Sequence, residues 1–113
     1  MDQKKMVDLN AVVKIFVEEL KKRGIRPEEI FLYGSYARGT ADDNSDIDVV
    51  VISTDFSKIP PVNRMSILSH AAWPTGATIE ALGYTPQEIA QNGKDSILWE
   101  EIQKDSMPIY KAA

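Results

Sequence analysis

Cysteine is absent from the 113-residue chain. Disulfides and thiolate metal sites are therefore excluded, nothing calls for an oxidising compartment, and a cytoplasmic protein is expected. Histidine occurs once, as His70, and reads as a partly exposed helical residue. No apolar run approaches the roughly 18 residues that a membrane span needs, and the N-terminal MDQKKMVDLN lacks the apolar core of a signal peptide. A soluble chain without a membrane partner is expected. Positive charge is also short: 13 Lys and Arg stand against 17 Asp and Glu, for a net charge of −4 and a pI near 4.9. Nucleic-acid-binding domains usually carry a basic face, so no nucleic acid polymer is expected as a partner. The length suits a single domain spanning residues 1–113, and no repeat, linker or low-complexity tract divides it.

What is present is concentrated between Phe31 and Ile52. The apolar, aromatic run Ile30 to Tyr33 reads as a strand, and Gly34-Ser35 ends it with a residue free to take unusual backbone angles. Tyr36 to Arg38 offers one helical turn, which places the backbone N–H groups around Ser35 at a helix start that favours an anion such as phosphate. Asp42, Asp43 and Asn44 then form a turn, and Ser45 to Ile52 reads as a second, β-branched strand. Side chains alternate along a strand, so Asp46 and Asp48 share one face and Ile47 takes the other. Two carboxylates about 4 Å apart repel by roughly 4 kcal/mol at an effective dielectric of about 20, so the pair needs a proton or a cation. Oxygen ligands beside a phosphate seat suit Mg²⁺; the plain alternative is a solvated Asp-rich turn.

The flanking chain supplies a scaffold. Leu9, Val12, Val13, Phe16, Val17 and Leu20 recur at helical spacing after the N-cap candidate Asp8, and Gly24 stops that helix. Ser53 to Pro61 reads as a loop, and Val62 to Ala72 as a helix with Met65, Ile67, Leu68 and Ala71 on its apolar side. Ala77 to Leu82 reads as a third strand carrying one acid, Glu80, for which solvent exposure at a sheet edge is the plain alternative to metal ligation. Thr85 and Pro86 mark the start of a short helix running to about Gln91. A last helix over Asp95 to about Lys104 is expected to turn Ile97, Leu98 and Ile102 inward, with Met107 to Tyr110 extended beyond it. Trp73 and Trp99 read first as core or interface anchors, with base stacking as the alternative, and Lys94 and Lys104 read as solvated lysines before phosphate contacts.

Gly34-Ser35, Arg38-Gly39 and Ser45-Asp46-Ile47-Asp48 together resemble the signature of the nucleotidyltransferase superfamily that includes DNA polymerase beta, and specifically its minimal nucleotidyltransferase members. The resemblance implies an α+β fold, with a mixed sheet of three or more strands packed against helices on one side. It implies two Mg²⁺ ions held by Asp46, Asp48 and Glu80, the last standing where many relatives carry Asp. The triphosphate of ATP or another nucleoside triphosphate would lie on Gly34 and Ser35, with Arg38 either offsetting its charge or paired with Asp42, Asp43 or Glu28. An acceptor hydroxyl would attack the α-phosphate, one ion activating it and the other neutralising the pyrophosphate. The resemblance further implies a partner, a HEPN-domain toxin that receives AMP on a tyrosine, which makes this chain its antitoxin; a homo-oligomer is compatible with it. The competing reading is a non-catalytic module that senses nucleotide or neutralises a partner by contact.

Overall fold

In the computed structural model, which describes residues 8–92 and 97–113, helix α1 (Leu9–Lys22) begins where the Asp8 carboxylate accepts from the N–H groups of Asn10 and Ala11, at 3.1 and 3.3 Å. Its apolar stripe, Val12, Phe16, Val17 and Leu20, is buried as the spacing predicts. Strand β1 (Glu29–Tyr33) runs into the five-residue helix α2 (Gly34–Arg38), and the chain returns antiparallel to β1 as β2 (Ile47–Ile52). The expected loop after β2 contains one 3₁₀ turn, Thr54–Lys58. Helix α3 (Pro61–Ala72) then crosses over and delivers β3 (Ile79–Tyr84) parallel to β2. Helices α4 (Pro86–Asn92) and α5 (Ile97–Asp105) lead to the extended segment, which is a fourth strand, β4 (Met107–Lys111), antiparallel to β1. The sheet order is β3-β2-β1-β4, so the fold is the expected mixed α+β sheet.

The alternation along β2 assigns the two faces. Ile47, Val49 and Val51 join Ile30, Leu32 and the buried sides of α1 and α3 in the main core. Val50 and Ile52 face the other way and pack with Ile102 of α5, supported by Phe31, Tyr33, Leu82, Tyr84 and Ile89. The main helical layer therefore lies on one side as expected, but a smaller apolar cluster covers part of the opposite face. The reason lies in β2 itself: after Asp48 its residues are apolar on both faces, and the second row needs cover as well. The inward turn of Ile102 holds at 1% exposure. The side chains of Ile97, Leu98 and Trp99, and all of Lys94, lie outside the described residues.

Helix α3 departs from its expected apolar side. Leu68 and Ala71 are buried, but Met65 is 61% exposed and Arg64, only 5% exposed, takes the inward place. The Arg64 guanidinium donates to the carbonyls of Ile59 (2.8 Å), Phe56 (2.9 Å) and Gly83 (3.2 Å), and it pairs with both Glu88 carboxylate oxygens at 2.6 and 2.9 Å. A buried arginine is tolerated when its donors are satisfied in this way. Trp73, expected in a core or interface, is 86% exposed. His70 is exposed on α3, as expected.

Candidate active site

The sheet register builds the site. Tyr33 is the last residue of β1 and stands opposite Asp48, and Asp48 in turn stands beside Glu80 on β3. These three residues lie in one row across the strands, on the face away from α1 and α3. Immediately after Tyr33 the chain turns at Gly34, whose φ of 75° lies in the left-handed region. A Cβ at Gly34 would collide with Asp48 Oδ2 and come within 3.1 Å of Asp48 Cγ. Glycine is thus required twice, for the backbone angle and for the space its Cβ would take from the carboxylate. The N-terminus of α2 receives no side-chain cap, so the first donors of the expected phosphate seat have no side-chain acceptor.

The electrostatics follow from this crowding. Burial first, then the charge of Glu80, a hydrogen bond to the Glu80 carboxyl and the charge of Asp46 push the Asp48 carboxyl up to about 6, against an opposing pull from Arg38. A carboxyl–carboxyl hydrogen bond needs a proton, which is the substitute for a cation when none is bound. Burial and the nearby charges of Asp48 and Glu80 push the Tyr33 hydroxyl up to about 12. Tyr33 is a neutral wall of the site that the sequence reading missed. Its position next to Gly34 was the available signal.

Asp46 stands just before β2, half-buried, and its charge reaches Asp48. The turn ahead of it is built by Asp42, whose carboxylate accepts from the Asn44 N–H (2.8 Å) and the Ser45 hydroxyl (3.2 Å). The solvated-turn reading therefore suits Asp42 and Asp43 and leaves Asp46 and Asp48 apart. A hollow of about 310 Å³ opens beside Asp46, lined among others by Tyr36, Ser45, Gly76 and Thr78. Ser35 sits in the first turn of α2, where its carbonyl accepts from the Thr40 N–H at 2.9 Å. Arg38 reaches neither Asp42 nor Asp43 nor Glu28 in an ion pair among the described residues. Its nearest ionic partner there is Asp105 of α5, at 3.9 Å, with both side chains partly exposed.

Asp48, Glu80 and Gly34 are thus in contact range, and Asp46 acts on Asp48 through its charge. Among the described residues no three carboxylate or imidazole groups converge closely enough to share one ion. The donor set still suits a hard cation, since it consists of oxygen ligands, carries an electrostatic conflict that a divalent ion would relieve, and opens toward an uncapped helix start.

A mixed sheet here sets a Gly-Ser turn against strand-borne carboxylates. The chain belongs to the nucleotidyltransferase domain family, whose model matches residues 13–108. It is 39% identical over 54 residues to the protein adenylyltransferase MntA of Thermococcus cleftensis, covering 47% of this chain and 50% of that one. It is 41% identical over 59 residues to a protein of Methanocaldococcus jannaschii provisionally named a protein adenylyltransferase, covering 51% of this chain and 38% of that one. The chain therefore spans half or less of the length of these relatives. In three dimensions it is similar to a crystal structure of a toxin–antitoxin complex with AMP-PNP, with a TM-score of 0.61 at 19% identity over 94% of this chain and 75% of that one, a likeness of fold.

Proposed function

We propose that this chain is a Mg²⁺-dependent nucleotidyltransferase that moves AMP from ATP to a hydroxyl of a partner protein. The observation that carries this reading is the contact between Gly34 and Asp48. It sets the Gly34-Ser35 turn directly against a carboxyl that is paired in register with Glu80. The names of the curated relatives support adenylate as the transferred group and protein as the acceptor. A toxin is supported by the complex whose fold is shared, and the HEPN class and a tyrosine acceptor by the family resemblance. The chain would then serve as the antitoxin, in the cytoplasm.

In this reading Gly34 and Ser35 bind the triphosphate through backbone donors and the Ser35 hydroxyl, and Arg38 leaves Asp105 to offset its charge. Asp46, Asp48 and Glu80 hold the metal, Asp46 by turning its side chain inward. Bound Mg²⁺ supplies charge neutralisation at the phosphates and a lowered barrier to deprotonating the acceptor. The acceptor oxygen bonds to the α-phosphorus, the bond from that phosphorus to the β-phosphate bridge breaks, and pyrophosphate leaves. The acceptor proton passes to Asp48 or Glu80 and on to water. Tyr33, neutral throughout, closes the side of the pair toward β1.

Calorimetric titration of ATP with and without Mg²⁺, on the parent and on a double Asp46→Asn, Asp48→Asn variant, tests the site. The expected result is binding that needs metal and is lost in the variant; equal binding by both proteins would sink the assignment. The spread of the three acids favours, as a second reading, a module that neutralises its partner by contact. Co-expression with a neighbouring toxin followed by intact mass separates the two. An adenylate adduct that disappears with Asp46 and Asp48 supports transfer, whereas neutralisation without an adduct, surviving both substitutions, supports contact.

A further inference from the structure

Among the described residues strand β3 is an edge strand, paired with β2 alone. Its backbone alternates in a known sense, because the Ile47 N–H donates to the Thr78 carbonyl and the Ser53 N–H to the Tyr84 carbonyl, both at 2.9 Å. In a parallel ladder this directs the backbone groups of Glu80, Leu82 and Tyr84 toward β2 and those of Ile79, Ala81 and Gly83 away from the sheet. The outward Gly83 carbonyl is occupied, since it accepts from Arg64. The outward groups of Ile79 and Ala81 have no partner strand.

A groove follows this edge. Three hollows of about 270, 340 and 460 Å³ lie end to end along it, the first two sharing Met65 and Leu82 and the last two sharing Ser69 and Ile79. Met65 and Trp73, at 61% and 86% exposure, line it on the side of α3 and its continuation. These are large apolar groups held in water beside unpaired backbone, a combination that soluble proteins otherwise avoid. The charges in the groove are also specific. Arg64 and Glu88 neutralise each other, and the one other charged group among its described lining residues is Glu80, which the proposed function commits to the metal. With no free cation to meet phosphates, the groove suits polypeptide rather than nucleic acid.

We propose that the β3 edge is the docking site for the acceptor polypeptide, which binds as an added extended strand on Ile79 and Ala81 with apolar side chains against Met65 and Trp73. The proposal rests on the nucleotidyltransferase reading for what happens next but not for the docking itself. An added strand lies about 4.8 Å from β3. A residue opposite Glu80 on the same face therefore projects its hydroxyl beside Glu80 and Asp48, where its oxygen bonds to the α-phosphorus as pyrophosphate leaves.

The test uses a fluorescein-labelled pool of decapeptides with a central tyrosine and valine, threonine or lysine elsewhere, read by anisotropy on the full chain with Mg²⁺ and ATP. Bound members are expected to lose at least tenfold in affinity against Met65→Glu and against Ala81→Pro, which removes an outward N–H and spares the β2 ladder. Trp73→Ala serves as a third variant if Ala81→Pro does not fold. N-methylation of the tightest peptide at one alternate set of amides is expected to abolish binding, and at the other set to leave it. No binding by any member, binding indifferent to these variants, or tolerance of both methylation sets overturns the proposal. So does a concentration-dependent dimer that Ala81→Pro dissolves, because the edge would then belong to a second copy. The two readings fail separately: peptide binding without Mg²⁺-dependent ATP binding sinks the nucleotide site, and the converse sinks the docking edge.

Discussion

The two ends of β3 treat charge in opposite ways, with Arg64 buried at one and Glu80 exposed at the sheet edge at the other. At Gly83 the guanidinium of Arg64 is surrounded by carbonyls and by Glu88, and every donor finds an acceptor of the right sign. Phe56 lies under it, with its ring centroid 5.5 Å from the guanidinium carbon. At Glu80 the neighbour is another carboxyl, Asp48, with Asp46 adding more negative charge. One end is a completed network that locks α3 and α4 to the sheet. The other is a conflict that folding alone leaves standing, and a strand retains such a conflict where a ligand relieves it.

The sharpest way to break the comparison is at the conflicted end. Asp48→Asn and Asp46→Asn are each expected to reduce Mg²⁺-dependent AMP transfer to the uncatalysed background while the far-UV circular dichroism stays that of the parent. Transfer at the parental rate in both variants would show that the conflict serves no chemistry.

The completed end should fail structurally instead. Arg64→Met leaves Glu88 without its cation and the carbonyls of Ile59, Phe56 and Gly83 without a donor. A loss of about 3–5 kcal/mol is expected, since removing one member of a buried pair strands the other. Urea unfolding measures it, and a cost under about 1 kcal/mol would mean that water replaces the guanidinium freely. Glu88 also closes a capping box, accepting from the Thr85 N–H at 2.9 Å while its own N–H donates to the Thr85 hydroxyl at 3.0 Å. The latch thus extends into the start of α4.

How much of this was legible in the sequence differs between the two ends. Alternation marked Asp46 and Asp48 as a pair on one face, but the strand begins only at Ile47, so Asp46 stands outside the ladder that fixes Asp48; Gly34 was singled out for its backbone freedom. Glu80 could be marked as an odd acid in an apolar strand, but its register beside Asp48 depends on a crossover that local pattern does not encode. Arg64 was illegible because its partners, Phe56, Gly83 and Glu88, lie up to 24 residues away. At helical spacing Met65 is the better apolar candidate, and only the tertiary network reverses the choice. Of the two readings of Trp73, core or interface, its exposure removes the first, because the sheet edge beside it is open.

A smaller effect sharpens the geometry of the site. Gly34→Ala adds a Cβ at a φ of 75°, against the Asp48 carboxyl. A loss of about 1–3 kcal/mol is expected from the backbone strain, together with weaker Mg²⁺–ATP binding as Asp48 is pushed out of its row. Gly24→Ala is the control, because its φ of 87° is equally left-handed but a Cβ there meets nothing within 4 Å. It should cost stability and leave ATP binding at the parental value; equal losses of binding in both variants would reduce the role of Gly34 to backbone strain.

The smallest effect concerns pH, where the two ends carry opposite signs. Asp48 is raised on folding from 3.8 to about 6. The folded state thus holds its proton more tightly than the unfolded chain, and the stabilisation present below about pH 3.8 is lost as the pH rises through about 6. Glu88 is lowered, first by its hydrogen bond to Arg64, so its stabilisation is present above its ordinary 4.5 and lost as the pH falls. In metal-free protein at pH 7, Asp48→Asn should therefore stabilise, by on the order of 1 kcal/mol once solvent screening of a partly exposed carboxyl is allowed for, and Glu88→Gln should destabilise. Saturating Mg²⁺ should erase the advantage of Asp48→Asn, because the ion stabilises only the carboxylate that can bind it. Urea midpoints at pH 4.5 and 7, with and without the metal, read all of these terms. If Asp48→Asn is less stable than the parent at pH 7 without metal, the carboxyl row at Glu80 is as well satisfied as the latch at Gly83.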